Sequence, residues 1–161
     1  MSPFWVETDN DLRLAIVPRP RGGDWLDDEI ARLKIEGVDV LISMLPSSEA
    51  DELGLATEPQ ACEAAGIIFK SFPIVDRETP ASTSAFTDFI KNLQHDMRDG
   101  RSIAVHCRAS IGRSSLLLAS LLCAEGFKPN DAFARLTKAR GLQVPDTNEQ
   151  IRWVERFAQT I

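Results

Sequence analysis

The stretch between Ser102 and Glu125 constrains the fold more than any other. A short apolar run, Ser102-Ile-Ala-Val-His106, is separated by only seven residues from Ser114–Glu125, a helix-length segment apolar on most sides. A helix without a polar stripe has no face to give to water, so it belongs in the middle of a molecule, wrapped by other elements. A strand that feeds such a helix through a tight loop is half of a parallel α/β unit.

The remaining segments supply what that unit needs. Val38–Leu45 and Gly66–Phe72 read as further buried strands. Alternation in Leu12-Arg-Leu-Ala-Ile-Val17 reads as a strand that pairs with Phe4–Glu7 across the Asp9-Asn10 turn, giving a short N-terminal β-hairpin. One helix is predicted from Asp24 as N-cap, with Leu26, Ile30 and Leu33 on one face and Gly37 as its stop. A second opens at Thr79-Pro80, with Thr79 as cap, and carries Phe86, Phe89, Ile90, Leu93 and Met97. A third covers Pro129–Arg140 and is closed by Gly141; the last puts Ile151, Val154, Ala158 and Ile161 on one stripe. The expected architecture is α/β: a central, mostly parallel sheet flanked by helices on both faces, in one domain over residues 1–161.

Charge and cysteine usage exclude several function classes. Lys and Arg number 18 against 24 Asp and Glu, a net charge of −6. Binding to nucleic acid or to anionic membranes has no basic surface to rest on, so any anion site must be built locally. The apolar stretch Leu116–Ala124 is far shorter than the ~18 residues of a membrane span. Met1–Glu7 has neither the basic head nor the apolar core of a secretory leader. A cytoplasmic protein without stable membrane association is expected, of unknown oligomeric state. Cys62, Cys107 and Cys123 form an odd set without CxxC spacing, and His95 and His106 are the only histidines. Neither a disulfide framework nor a metal site or other cofactor is expected.

Ligands of parallel sheets gather beyond the C-terminal ends of strands, which points to the residues after Val105. Cys107 and Arg113 enclose Arg108, Ala109, Ser110, Ile111 and Gly112, at the start of the most apolar helix. A tight loop of this length turns successive N–H groups inward as an anion nest. The helix adds its positive end, and the Arg113 fork suits two oxygens of one phosphate. A thiol with an ordinary pKa of about 8.5 falls to roughly 3.5–7.5 in such surroundings, which makes Cys107 a nucleophile facing phosphorus. The hydroxyl of Ser114 is placed to stabilise that sulfur as it leaves, and His106 to orient the loop. Ser110 stands where a positive φ would strain it; the expectation is that the turn tolerates serine there. Cys62 and Cys123 read as buried structural thiols, though each is also a candidate redox partner for Cys107.

The segment resembles the C-x5-R signature of the cysteine-dependent protein phosphatases, in its HCxxxxxRS form. The resemblance makes Cys107 the nucleophile, Arg113 the phosphate-binding arginine and Ser114 the hydroxyl that follows it. It extends to Phe72-Pro-Ile-Val-Asp-Arg-Glu-Thr-Pro80, which looks like the family's D-x-x-x-P loop and makes Asp76, 31 residues before Cys107, the general acid. Gly37–Leu45 looks like the family's central strand. Val144-Pro-Asp-Thr-Asn-Glu-Gln150 resembles its late loop, where Gln150 matches a water-positioning glutamine and Asp146 falls where the larger tyrosine phosphatases carry another. Thr147–Gln150 is equally a capping box.

The size matches the compact dual-specificity group, and the chain has no tyrosine to wall a deep phosphotyrosine pocket. The resemblance implies dephosphorylation of phosphotyrosine, phosphoserine or phosphothreonine in proteins, with Arg108 at the mouth either drawing acidic substrates or held by a nearby acid. Three alternatives stand beside it: a phosphate-binding module that has lost catalysis, a phosphoinositide phosphatase, and a rhodanese-type sulfurtransferase, which would have a shorter loop and no use for Asp76.

Overall fold

The computed structural model describes residues 2–161. Five strands, β1 (Phe4–Trp5), β2 (Leu14–Ile16), β3 (Val40–Ser43), β4 (Ile68–Ser71) and β5 (Ile103–His106), form one sheet in the order β1-β2-β5-β3-β4. Only β1 runs antiparallel, with Phe4 opposite Ile16; this is the hairpin read from the sequence. β5 lies at the centre, Ile103 facing Leu14 on one side and Val40 on the other. Seven helices complete the fold: α1 (Leu26–Ile35), α2 (Ser47–Glu52), α3 (Glu58–Ala65), α4 (Thr83–Arg98), α5 (Gly112–Ala124), α6 (Pro129–Arg140) and α7 (Asn148–Ala158).

The strand order sorts the helices into two layers. From β2 to β3 to β4 the chain moves one way across the sheet, and from β4 to β5 it returns. With right-handed crossovers, α1 and α3 lie on one face and α4 and α5 on the other. The packing agrees: α1 meets α3, while α5 meets α4, α6 and α7. Every residue of α5 from Gly112 to Cys123 is buried, as its unbroken apolar pattern requires. The hydroxyls of Ser114, Ser115 and Ser120 inside it have no hydrogen-bond partner.

Four details differ from the sequence reading. β4, read as a buried strand, is an edge strand with Ile68 and Ser71 exposed. Asp24 caps nothing; it sits inside a single 3-10 turn, Gly23–Trp25, and α1 instead gathers Asp27, Asp28 and Glu29 in its first turn, where carboxylates meet the positive helix end. α4 opens three residues after Thr79-Pro80, because Ser82 is the cap and accepts from the Ala85 N–H at 3.2 Å. The buried face of α7 is Gln150, Trp153, Val154 and Phe157, and Ile161 is exposed. Aromatic packing sets that rotation: Trp153 and Phe157 lie 4.8 and 5.4 Å from Phe86 of α4, both edge-on. α6 ends as read, with Gly141 at φ 82 closing it in the left-handed conformation.

Candidate active site

Strand β5 ends at His106, the next five residues form a loop, and α5 starts at Gly112. Cys107 and Ser110 are buried, Ala109 is exposed, and Arg108 and Ile111 lie between. Ser110 does adopt a positive φ, 55°. Its hydroxyl offsets the strain by donating to the Val17 carbonyl at 2.6 Å, which ties the loop to the end of β2. Two arginines hold the loop from outside. Arg140 donates to the carbonyls of Ser110 at 3.0 Å and Ala109 at 3.3 Å, and Arg19 reaches that of Arg108 at 3.5 Å. In a trans peptide the next N–H points opposite to the carbonyl. Anchoring three successive carbonyls outward therefore turns the N–H groups of residues 109, 110 and 111 the other way, as an anion nest requires.

Arg113 is only 1% exposed and uses its whole fork. Nη1 donates to Glu49 Oε1 and to the Ile74 carbonyl, both at 2.8 Å; Nη2 donates to Glu49 Oε2 and to Asp76 Oδ1, both at 3.0 Å. Burial alone would lower its pKa. The bonds from Glu49 and the charges of Cys107, Glu49 and Asp76 outweigh that and hold the guanidinium above its ordinary value. The same bonds hold the Glu49 carboxyl below the ordinary carboxylate range, against the opposing effect of its burial. Arg113 thus gathers three segments: α2, the loop after β4, and α5.

Asp76 stands on a turn closed by the Glu78 N–H on the Val75 carbonyl at 2.9 Å. Arg77 beside it takes φ 65, a position glycine usually fills. Arg108 is paired with Glu49 at 3.3 Å and Glu52 at 3.2 Å, so it is an arginine held by acids. His106 presents Nδ1 to the Cys107 carbonyl at 3.4 Å and Nε2 to buried Glu58 at 2.6 Å.

Ser114 and Gln150 differ in how far their polar atoms are engaged. Among the described residues Ser114 Oγ has no hydrogen-bond partner. Gln150 is committed to the chain itself: Oε1 accepts from the N–H groups of Asp146 and Thr147, and Nε2 donates to the Glu78 carbonyl at 3.2 Å. The capping box with Thr147 is complete. Its position is nonetheless tight against the loop, since a Cβ on Gly112 would fall 2.9 Å from both amide atoms and 2.4 Å from an Asp146 carboxylate oxygen. Through these bonds Gln150 is a strut between α7 and the Asp76 loop.

Glu49, Glu58, Arg19 and Arg140 were not singled out in the sequence. All four reach the loop from 30 to 89 positions away, and short α2 has no amphipathic period to mark Glu49. Cys62 and Cys123 are buried free thiols, as read. Among the described residues no cluster suited to a metal occurs. Among those residues no helix is long and apolar enough to cross a membrane. A surface cleft of about 420 Å³ lined by Trp5, Glu7, Asp9, Arg135 and Lys138 contains none of the loop residues, and its charges are mutually paired, Arg135 with Asp9 and Lys138 with Glu7.

Solved structures share this fold across nearly its full length. Kinase associated phosphatase, with its catalytic-site cysteine replaced by serine, superimposes with a TM-score of 0.87 at 19% identity, covering 99% of this chain and 95% of that one. PTPMT1 in complex with PI(5)P gives 0.77 at 19% identity, covering 97% and 96%. The fold is thus that of the dual-specificity and tyrosine phosphatases. Residues 17–127, more than half of the chain, match the family described as Tc-R-P: Polymorphic toxin system, DSP-PTPase phosphatase, and the chain belongs to that family. Protein tyrosine phosphatase domain-containing protein 1 of Danio rerio is 32% identical over 108 residues, 67% of this chain; the match spans 15% of that relative's length.

Proposed function

We propose that the chain is a metal-independent phosphomonoesterase that works through a phosphocysteine on Cys107 and acts on phosphorylated side chains of proteins. One observation carries the reading: Arg113, at the start of α5 and six positions after Cys107, is bonded to Asp76 from a separate loop. That bond brings Asp76 to the same strand end as Cys107 and Arg113, which supports their reading as acid, nucleophile and phosphate clamp.

In the first step Cys107 Sγ attacks phosphorus, the S–P bond forms, and the ester P–O bond breaks. Arg113 and the loop N–H groups hold the three equatorial oxygens. Asp76 gives its proton to the departing alcohol or phenol oxygen. To do so it leaves Arg113, and the substrate phosphate takes its place on the guanidinium. In the second step water attacks the phosphocysteine, its proton passes to the Asp76 carboxylate, and sulfur departs as thiolate. The unpartnered Ser114 hydroxyl serves that sulfur. Inorganic phosphate is the product, and the enzyme returns with Asp76 protonated for the next cycle.

A monophosphorylated protein side chain is favoured by the state of the loop's other cation. Arg108 is already neutralised by Glu49 and Glu52, which leaves no spare charge in the loop interior for a second phosphate. The net charge of −6 also opposes residence on an anionic membrane. PTPMT1 was solved with PI(5)P, and a phosphoinositide is accordingly the comparison substrate.

Acid quenching during turnover of p-nitrophenyl phosphate tests the chemistry. Mass spectrometry of wild-type peptides is expected to show one phosphate on the peptide carrying Cys107. Phosphate on another residue would overturn the reading, as would a phosphoenzyme in Cys107→Ser at equal yield. Faster turnover of a phosphoinositide than of phosphopeptides would move the substrate class to lipid.

A further inference from the structure

Behind the nucleophile lies a buried couple that the reaction steps leave unused. Glu58, the first residue of α3, is 1% exposed, and His106 is fully buried at the end of β5. Glu58 Oε2 and His106 Nε2 are 2.6 Å apart, while Nδ1 faces the Cys107 carbonyl at 3.4 Å. A carbonyl only accepts, so Nδ1 has to carry a proton for this contact to be favourable. A carboxyl group suits Nε2 in either state. The couple needs two protons: one on Nδ1, and a second either on Nε2, donating to the carboxylate, or on the carboxyl, donating to a bare Nε2. The proton on Nδ1 is retained in both cases. Without that partner the ring is free to place its single proton on Nε2, which would turn a lone pair toward the Cys107 carbonyl.

We infer that Glu58 is a positioning residue: it fixes His106 with Nδ1–H on the Cys107 carbonyl and so sets the peptide from which the nucleophilic sulfur projects. The inference rests on the phosphocysteine reading of the loop. Carboxylates behind metal-ligating histidines fix tautomer and ring orientation in the same way. The charged and titratable groups around the couple are few. Cys62 lies one turn along α3, its thiol pushed up to about 12 by burial and then by the charge of Glu58. Cys107 is next in the chain, and beyond it Arg113 stands between Glu49 and Asp76. The couple makes no other side-chain hydrogen bond among the described residues.

The test compares Glu58→Ala and Glu58→Gln with wild type, in the whole chain. A glutamine can donate its amide N–H to Nε2 and keep the Nδ1 proton in place; alanine cannot. On p-nitrophenyl phosphate, Glu58→Ala is expected to lower kcat by about 10- to 100-fold, with a much smaller change in KM. Glu58→Gln is expected to recover most of the loss. A second readout does not depend on turnover: the slowly exchanging Nδ1–H resonance of His106 is expected in wild type and Glu58→Gln, and lost in Glu58→Ala. Folded Glu58→Ala with wild-type kcat would overturn the inference. So would a glutamine variant as impaired as the alanine one, or no protected Nδ1–H in wild type. Should Glu58→Ala fail to fold, the glutamine variant and the wild-type resonance decide. Absence of all turnover in wild type would strike the phosphocysteine reading, and the resonance alone would then decide whether Glu58 holds the ring.

Discussion

Removing Glu49 is the sharpest probe of how the site is held together. Its carboxylate makes both bonds of a forked pair with Arg113, at 2.8 and 3.0 Å, and the arginine is 1% exposed. In Glu49→Ala the guanidinium keeps the Ile74 carbonyl and Asp76 but loses its main counter-charge. Breaking a buried pair from one side typically costs 3–5 kcal/mol. Asp76 is half exposed and admits water to the cation, so the lower end applies, about 3 kcal/mol. The pair with Arg108 lies against solvent and adds little. For a domain of this size the expected fall in Tm is roughly 6–12 °C. The pH dependence has a definite sign. The folded-state pKa of Glu49 is lowered from 4.5, mainly by the bonds from Arg113. Its stabilisation is therefore complete above about pH 4.5 and is lost as pH falls through the lower folded value. The gap between wild type and Glu49→Ala should be full at pH 7 and narrow below 4.5. Urea denaturation at pH 7 and across pH 5 to 3 measures it. A variant within 2 °C of wild type, or a gap that ignores pH, would refute the reasoning.

Two further outcomes follow from the same geometry. Asp76→Asn is expected to lower turnover of an alkyl phosphate by about 10²- to 10⁴-fold, and that of p-nitrophenyl phosphate far less, because its phenolate leaves without a proton; equal losses on both would remove Asp76 from the acid role. The Cys62 thiol is pushed up to about 12 by burial and the charge of Glu58, and that of Cys123 to about 11 by burial. Native protein treated with iodoacetamide at pH 8 should therefore carry label on neither, as read by peptide mass spectrometry; label on either would contradict their burial as inert thiols.

What the sequence conveyed well was local. The apolar pattern of α5 and the spacing of Cys107 and Arg113 are each governed by neighbours within a few residues, and each is found in the structure; β2 forms where its alternation is read, but it is buried throughout. Gly141 ends α6 for the same kind of reason. Helix starts were less faithful. Asp24 and Thr79 have the chemistry of caps, but Ser82 has the backbone geometry, and Thr79 is drawn into the loop that carries Asp76. The rotation of α7 depends on Phe86, more than 60 positions earlier, and no stripe within α7 reports it. The supporting residues were hidden most thoroughly. Glu49 and Glu58 are two acids among 24, and only the folded chain shows that one faces Arg113 and the other His106. On Gln150 the motif and a capping box coincide, and the box is formed in the structure.

The central claim is thiolate catalysis without a metal. Its most direct test is phosphate release from p-nitrophenyl phosphate near pH 6, in the presence of chelator, comparing wild type with Cys107→Ser of equal thermal stability. Turnover that resists the chelator and disappears in Cys107→Ser is the predicted result. Turnover that survives the substitution, or that the chelator abolishes, would contradict it.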